Sequence, residues 1–231
     1  MKNNWEIWVG LFGTVLLVWA HWTGLFVAPP EAMMGDVGRI LYAHVPTAWV
    51  GLLTYLVAFI AAIGALGTGR VAWDAMVEAS VEVGLLLNAL LLIQGSLWAK
   101  PTWGVYWTWD PRLTTCAIMV VAFGVVLALR RQIDDPSRRL TLSSVATIVA
   151  FVNVPIVYMS VKWWRTLHQP YSSPETVDSA MITPLRVAAF GMLFLSIGFV
   201  VRRWRIAMHD LHAEFEAPDL PSPSAPLAVE E

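Results

Sequence analysis

Six apolar runs, each near the length of about twenty residues that carries a helix across a hydrocarbon core of about 30 Å, constrain this chain more than any motif in it. They lie roughly at 7–28, 47–66, 76–98, 112–129, 140–161 and 184–201. Only helices and closed barrels satisfy their own backbone in lipid, and continuous runs of this length select helices. The expected fold is an all-α polytopic integral membrane bundle of six transmembrane helices. With 57% apolar residues, 14% charged residues and a mean hydropathy of +0.60, the composition agrees. Residues 1–203 are assigned to the bundle. Residues 204–231, basic at first and then rich in Pro, Ala, Ser and acid, are assigned to a disordered tail in which His209 and His212 are solvated. The first run is read as a retained helix, because it is longer than a signal peptide's apolar region and only Lys2 precedes it as a cation.

Several function classes fall away at once. A net charge of -2 gives no reason to expect nucleic acid. The single cysteine, Cys116, excludes an intrachain disulfide, a cysteine-based zinc site and, with no C-x-x-C-H, a covalently attached c-type haem. No G-x-x-x-x-G-K-[ST] is present, so if ATP drives anything here another subunit hydrolyses it.

Ionisable residues inside such runs are functional candidates by default. His21 in the first run is one, with a structural role near a helix end as the alternative. Glu78 and Glu82, four apart on one helix face, are a partner contact or proton path on one reading and an interfacial carboxylate pair on the other. Asn88 and Gln94 read as hydrogen-bonding glue between helices. In the fifth run Asn153 and Pro155 predict a kink.

Six crossings put both ends of the chain on one side. Nine cations (Lys2, Arg70, Arg130, Arg131, Arg138, Arg139, Arg202, Arg203, Arg205) share that side and six (Arg39, Lys100, Arg112, Lys162, Arg165, Arg186) lie opposite. The positive-inside rule therefore places the termini in the cytoplasm and the three aromatic loops outside. The tryptophans divide the other way, four inside and nine outside, where an ordinary interfacial belt would be even. Something on the outer face consumes aromatic surface.

That surface centres on 98–114, W-A-K-P-T-W-G-V-Y-W-T-W-D-P-R-L-T, expected as an outer loop holding Trp98, Trp103, Gly104, Tyr106, Trp107 and Trp109. Asp110 followed by Pro111 reads as the N-cap and first position of the next helix. Arg112, a cation in a helix's first turn, calls for an anionic neighbour, either Asp110 or a ligand carboxylate. In the first loop Met33, Val37, Ile40 and His44 share one face of an expected short surface helix that ends before Pro46. His44 there faces inward at headgroup depth, or simply hydrogen-bonds a backbone carbonyl. The last loop opens K-W-W-R-T-L-H-Q. If helix persists into it, Trp164 and His168 share one face, as do Lys162 and Arg165.

Haem iron takes two axial imidazoles on opposite faces, porphyrin edges pack on aromatic rings, and propionates seek Arg or Lys. His44, His168, the tryptophan shelf and a cation among Arg112, Lys100, Lys162 and Arg165 offer each of these. Other readings use the same residues. A bis-histidine b-type cytochrome anchor for electron transfer would hold its ligands within facing spans. A permease with an aromatic cage would bind an organic cation, which six outer cations oppose. Zinc would find its four-coordinate site half empty.

W-G-V-Y-W-T-W-D-P-R-L-T at 103–114, Y-A-H-V-P at 42–46 and W-W-R-T-L-H-Q at 163–169 resemble the WWD-type haem-handling membrane proteins of cytochrome c maturation, and in particular the CcmC (haem exporter protein C) family. The similarity runs over nearly the whole chain to about Val201. It implies non-covalent haem b with His44 and His168 as axial ligands, and Trp103, Gly104, Trp107, Trp109, Asp110 and Arg112 as the haem-binding domain, beside Trp98, Tyr106, Trp163, Trp164 and Arg165. It further implies haem delivery at the outer face of the bacterial inner membrane to the haem chaperone CcmE, with CcmD and the ABC transporter subunits CcmA and CcmB as partners.

Overall fold

The computed structural model describes residues 4–168 and 177–216. Lys2, Gln169 with the rest of the last loop to 176, and the tail beyond 216 lie outside the described residues. The order of elements is α1 (Trp5–Phe26), a 3-10 turn (Asp36–Ile40), α2 (Leu41–Thr68), α3 (Val71–Trp103), α4 (Pro111–Arg130), α5 (Pro136–Phe151), α6 (Asn153–Trp163) and α7 (Ser179–Glu216). Among the described residues six segments are long and apolar enough to cross a membrane, α5 and α6 forming one of them. The expected all-α polytopic architecture is present.

The fifth span breaks at Val152 because Pro155 cannot donate to the carbonyl of Phe151 and its ring presses against it. Asn153, just past the break, donates its amide to the Thr115 carbonyl at 2.7 Å and so ties α6 to α4. Small residues bring other helices close, as lipid-embedded packing requires. A Cβ on Gly13 of α1 would lie 2.4 Å from the Leu195 nitrogen and 2.7 Å from the Gly191 carbonyl of α7, so these backbones touch. In the middle of the bundle Tyr55 of α2 stacks on Phe123 of α4, ring centres 3.5 Å apart, among Ala58, Ala62, Val77, Val81 and Met119.

At one end of the bundle the charged residues pair with each other. Arg130 reaches Asp74 at 2.6 Å and Glu78 at 2.8 Å, Arg203 reaches Glu78 and Glu82, and Arg205 meets the buried Glu6 at 2.8 Å. Glu78 and Glu82 are therefore an intramolecular interfacial pair, joining α3 to α4 and α7.

Four expectations about element ends are corrected. Helix α3 does not stop at Trp98 but passes through Pro101 to Trp103, ending where Gly104 takes a φ of 79°. Pro101 falls in the last turn, where little helix remains to be disrupted, and Lys100, donating to the Gly104 carbonyl at 3.0 Å, helps hold that end. The surface helix of the first loop is a 3-10 turn feeding directly into α2, which contains both His44 and Pro46. Helix α7 runs past Val201 to Glu216, because Arg202, Arg203 and Arg205 find acids and Ala207 and Leu211 pack on Ala75. The tail reading thus fails for residues 204–216, although His209 and His212 are exposed there as expected. Finally, helix does not persist beyond Trp163: Trp164 is extended, at φ -126° and ψ 155°. Trp164 and His168 therefore share no helical face.

Candidate functional site

At the end opposite the charge network, α2, α3, α4 and α6 line a cavity of about 250 Å³. Its wall includes residues that follow the first, third and fifth spans, so the three aromatic connections meet at one end of the bundle. His44 enters from the first turns of α2 and His168 from the segment after α6. Trp98, Trp103 and Trp107 supply aromatic wall. Arg112 is the one Arg or Lys side chain among the described lining residues.

The two imidazoles face one region of space, with ring centres 6.5 Å apart and planes inclined by 34°. Trp98 packs edge-on against His44 at 5.4 Å and fixes that ring from the side. The two rings are near enough for one bound group to reach both. His44 Nδ1 and Trp98 Nε1 are buried with no hydrogen-bond partner among the described residues. An orphaned buried polar atom costs about 1–3 kcal/mol, so the cavity holds unmet polar demand as well as apolar surface.

Other residues expected at the site stand around it. Gly104 makes the left-handed turn that closes α3. Tyr106 is exposed and lies under the Lys100 ammonium, 5.3 Å from ring centre to nitrogen. Trp109 is 80% exposed and touches Trp107 edge-on. Trp163 and Trp164 are exposed and pack edge to face on each other, and Arg165 is exposed. Asp110 is buried behind the wall and caps α4 by accepting the Arg112 N–H at 2.9 Å. Of the cations considered for a ligand carboxylate, Lys100 is engaged at Gly104, and Lys162 and Arg165 do not line the cavity.

Trp49, Gly95, Ser96, Cys116 and Tyr158 line the cavity without having been expected there. A helical signal was available for two of them, since Cys116 lies one turn after Arg112 and Gly95 one turn before Trp98. Gly95 matters by what it lacks: a Cβ there would stand 3.3 Å from His44 Cε1. Of the nine tryptophans counted toward this end, four (Trp49, Trp98, Trp103, Trp107) line the cavity. The other five are exposed and match the four at the opposite end, as an interfacial belt should. The cavity accounts for the excess.

His21, the other intramembrane histidine, holds the Leu17 carbonyl in its own helix, Nδ1 to oxygen 2.7 Å. It takes no part in this site. Among the described residues no group of three or more His, Cys, Asp or Glu gathers as a metal site, so the two-imidazole pair stands apart from any tetrahedral arrangement.

Together these features define a class: an all-α polytopic membrane protein with an aromatic-walled cavity flanked by two facing imidazoles. A family model, CcmC, "Heme exporter protein C", matches residues 1–217. Relatives named heme exporter protein C include those of Bradyrhizobium diazoefficiens, 37% identical over 77% of this chain and 70% of that protein, and Escherichia coli K12, 34% identical over 86% and 81%. The Haemophilus influenzae protein of that name is 34% identical over 83% of this chain and 78% of its own. The chain belongs to the CcmC family.

Proposed function

We propose that the chain holds one non-covalent haem, haem b, with its iron between His44 and His168, and hands it on during c-type cytochrome biogenesis. The carrying observation is the 6.5 Å separation of two imidazoles across an aromatic cavity. Trp98, Trp103 and Trp107 pack against the porphyrin, and Arg112 meets a propionate. The macrocycle supplies the iron chemistry. The protein supplies two ligands, an apolar wall and one cation.

Delivery goes to the haem chaperone CcmE, with CcmD, CcmA and CcmB as the partners expected of a family named for haem export. The site faces the periplasmic side of a bacterial inner membrane and both termini are cytoplasmic. The nine-to-six bias of cations supports this orientation. Placement at the end of the bundle, with His168 and Trp107 on connecting segments, supports transfer over permanent electron-transfer duty, since a ligand whose contacts lie partly on connections leaves more easily than one clamped at mid-span.

The test is haem loading of the chaperone in cells carrying His44→Ala or His168→Ala. Loading is expected to be lost in both at normal protein level. Normal loading in both variants defeats the reading.

A further inference from the structure

We infer that Asp110 acts on the site through His168: its carboxylate is the latch that holds the third connection, and with it the His168 ring, across the cavity from His44. The inference rests on the reading of His168 as an axial ligand.

Asp110 is only 6% exposed, and three donors converge on it. Arg112 N–H donates to Oδ1 at 2.9 Å, which is the helix cap anticipated from an Asp-Pro pair. The other two come from 56 and 57 residues further along. Thr166 Oγ1 lies 2.8 and 2.7 Å from the two carboxylate oxygens, and Leu167 N–H donates to Oδ2 at 2.8 Å. Thr166 Oγ1 in turn accepts the backbone N–H of His168 at 3.0 Å. One buried carboxylate thus fixes the first turn of α4 and the two residues preceding His168.

A cap needs only one of these bonds. A helix N-cap satisfies local N–H groups, and Asn or Ser would serve as well as Asp. Two acceptor oxygens are needed only because a second segment is held as well. The same bonds explain why helix stops at Trp163: the N–H of Leu167 and the hydroxyl of Thr166 are drawn to Asp110 instead of to the preceding turn. Asp110 itself does not line the cavity. It is a positioning residue.

The test uses the full-length purified protein loaded with ferric protoporphyrin IX, with spin state read by absorption and electron paramagnetic resonance. Asp110→Asn keeps an acceptor for the Arg112 cap but cannot accept both remaining donors. Thr166→Val leaves the cap untouched and cuts the relay from the other side. In both variants haem is expected to remain on His44 while the ratio of six-coordinate low-spin to five-coordinate high-spin iron falls roughly tenfold, the equivalent of one charge-assisted hydrogen bond. Added free imidazole restores the low-spin form by occupying the vacated position. Wild-type spin state in the variants overturns the latch while leaving the two-histidine reading intact. Loss of all haem without imidazole rescue also overturns it, since Asp110 would then be supporting the cavity as a whole. A wild-type protein lacking the bis-imidazole signal would instead defeat the underlying reading.

Discussion

The two ends of this bundle use their polar side chains in different ways. At the charged end Asp74, Glu78 and Glu82 are matched by Arg130 and Arg203, and Glu6 by Arg202 and Arg205. Those ion pairs lock α1, α3, α4 and α7 together. At the cavity end His44 Nδ1 and Trp98 Nε1 are buried without partners among the described residues, beside a cavity. In a membrane protein a polar group that is not holding helices together is available to a ligand.

Substitutions at the two ends should separate stability from binding. The largest effect is expected at the charged end. Arg130→Met strands Asp74, whose side chain is 4% exposed, and should cost about 3–5 kcal/mol in unfolding free energy, read by thermal or denaturant unfolding in detergent, with haem affinity of the folded fraction unchanged. At the cavity end the effects reverse. Arg112→Gln should weaken haem binding by about tenfold to a hundredfold, and far less for haem dimethyl ester, which lacks the propionate charges. Equal losses for both ligands would remove Arg112 from propionate recognition. Gly95→Leu pushes into His44 and should lower haem affinity about tenfold in a hemin titration while the unfolding midpoint barely moves. Smallest of all, Lys100→Ala loses an exposed contact to the Gly104 carbonyl and should change stability by about 0–1 kcal/mol with no effect on haem. A large loss of haem in that variant would mean that Lys100 leaves Gly104 when ligand binds.

Most of the architecture was legible in the residues because membrane spans announce themselves by length and apolarity. The Pro155 break and the Asp110 cap were legible because each follows from one residue's local chemistry. Element ends that depend on distant partners were not. Helix α7 extends to Glu216 because Glu6, Glu78 and Glu82 wait on other helices, and α3 runs through Pro101 although a proline reads as a stop. His44, His168, Trp98, Trp103, Trp107 and Arg112 were named from pattern and resemblance and do meet at one cavity. Trp109, Tyr106, Trp163, Trp164 and Arg165 carry the same aromatic or cationic signature yet stand outside it, since composition reports the neighbourhood and not the direction of a side chain. Gly95 escaped notice because its contribution is an absence of atoms.

We propose that a single iron sits between His44 and His168. Electron paramagnetic resonance of the purified protein titrated with ferric protoporphyrin IX tests it most directly. One low-spin bis-imidazole species, saturating at one haem per chain and converted to high-spin iron by His44→Ala and by His168→Ala alike, is the predicted result. A bis-imidazole signal that survives either substitution, or iron bound with no imidazole ligand at all, would contradict it.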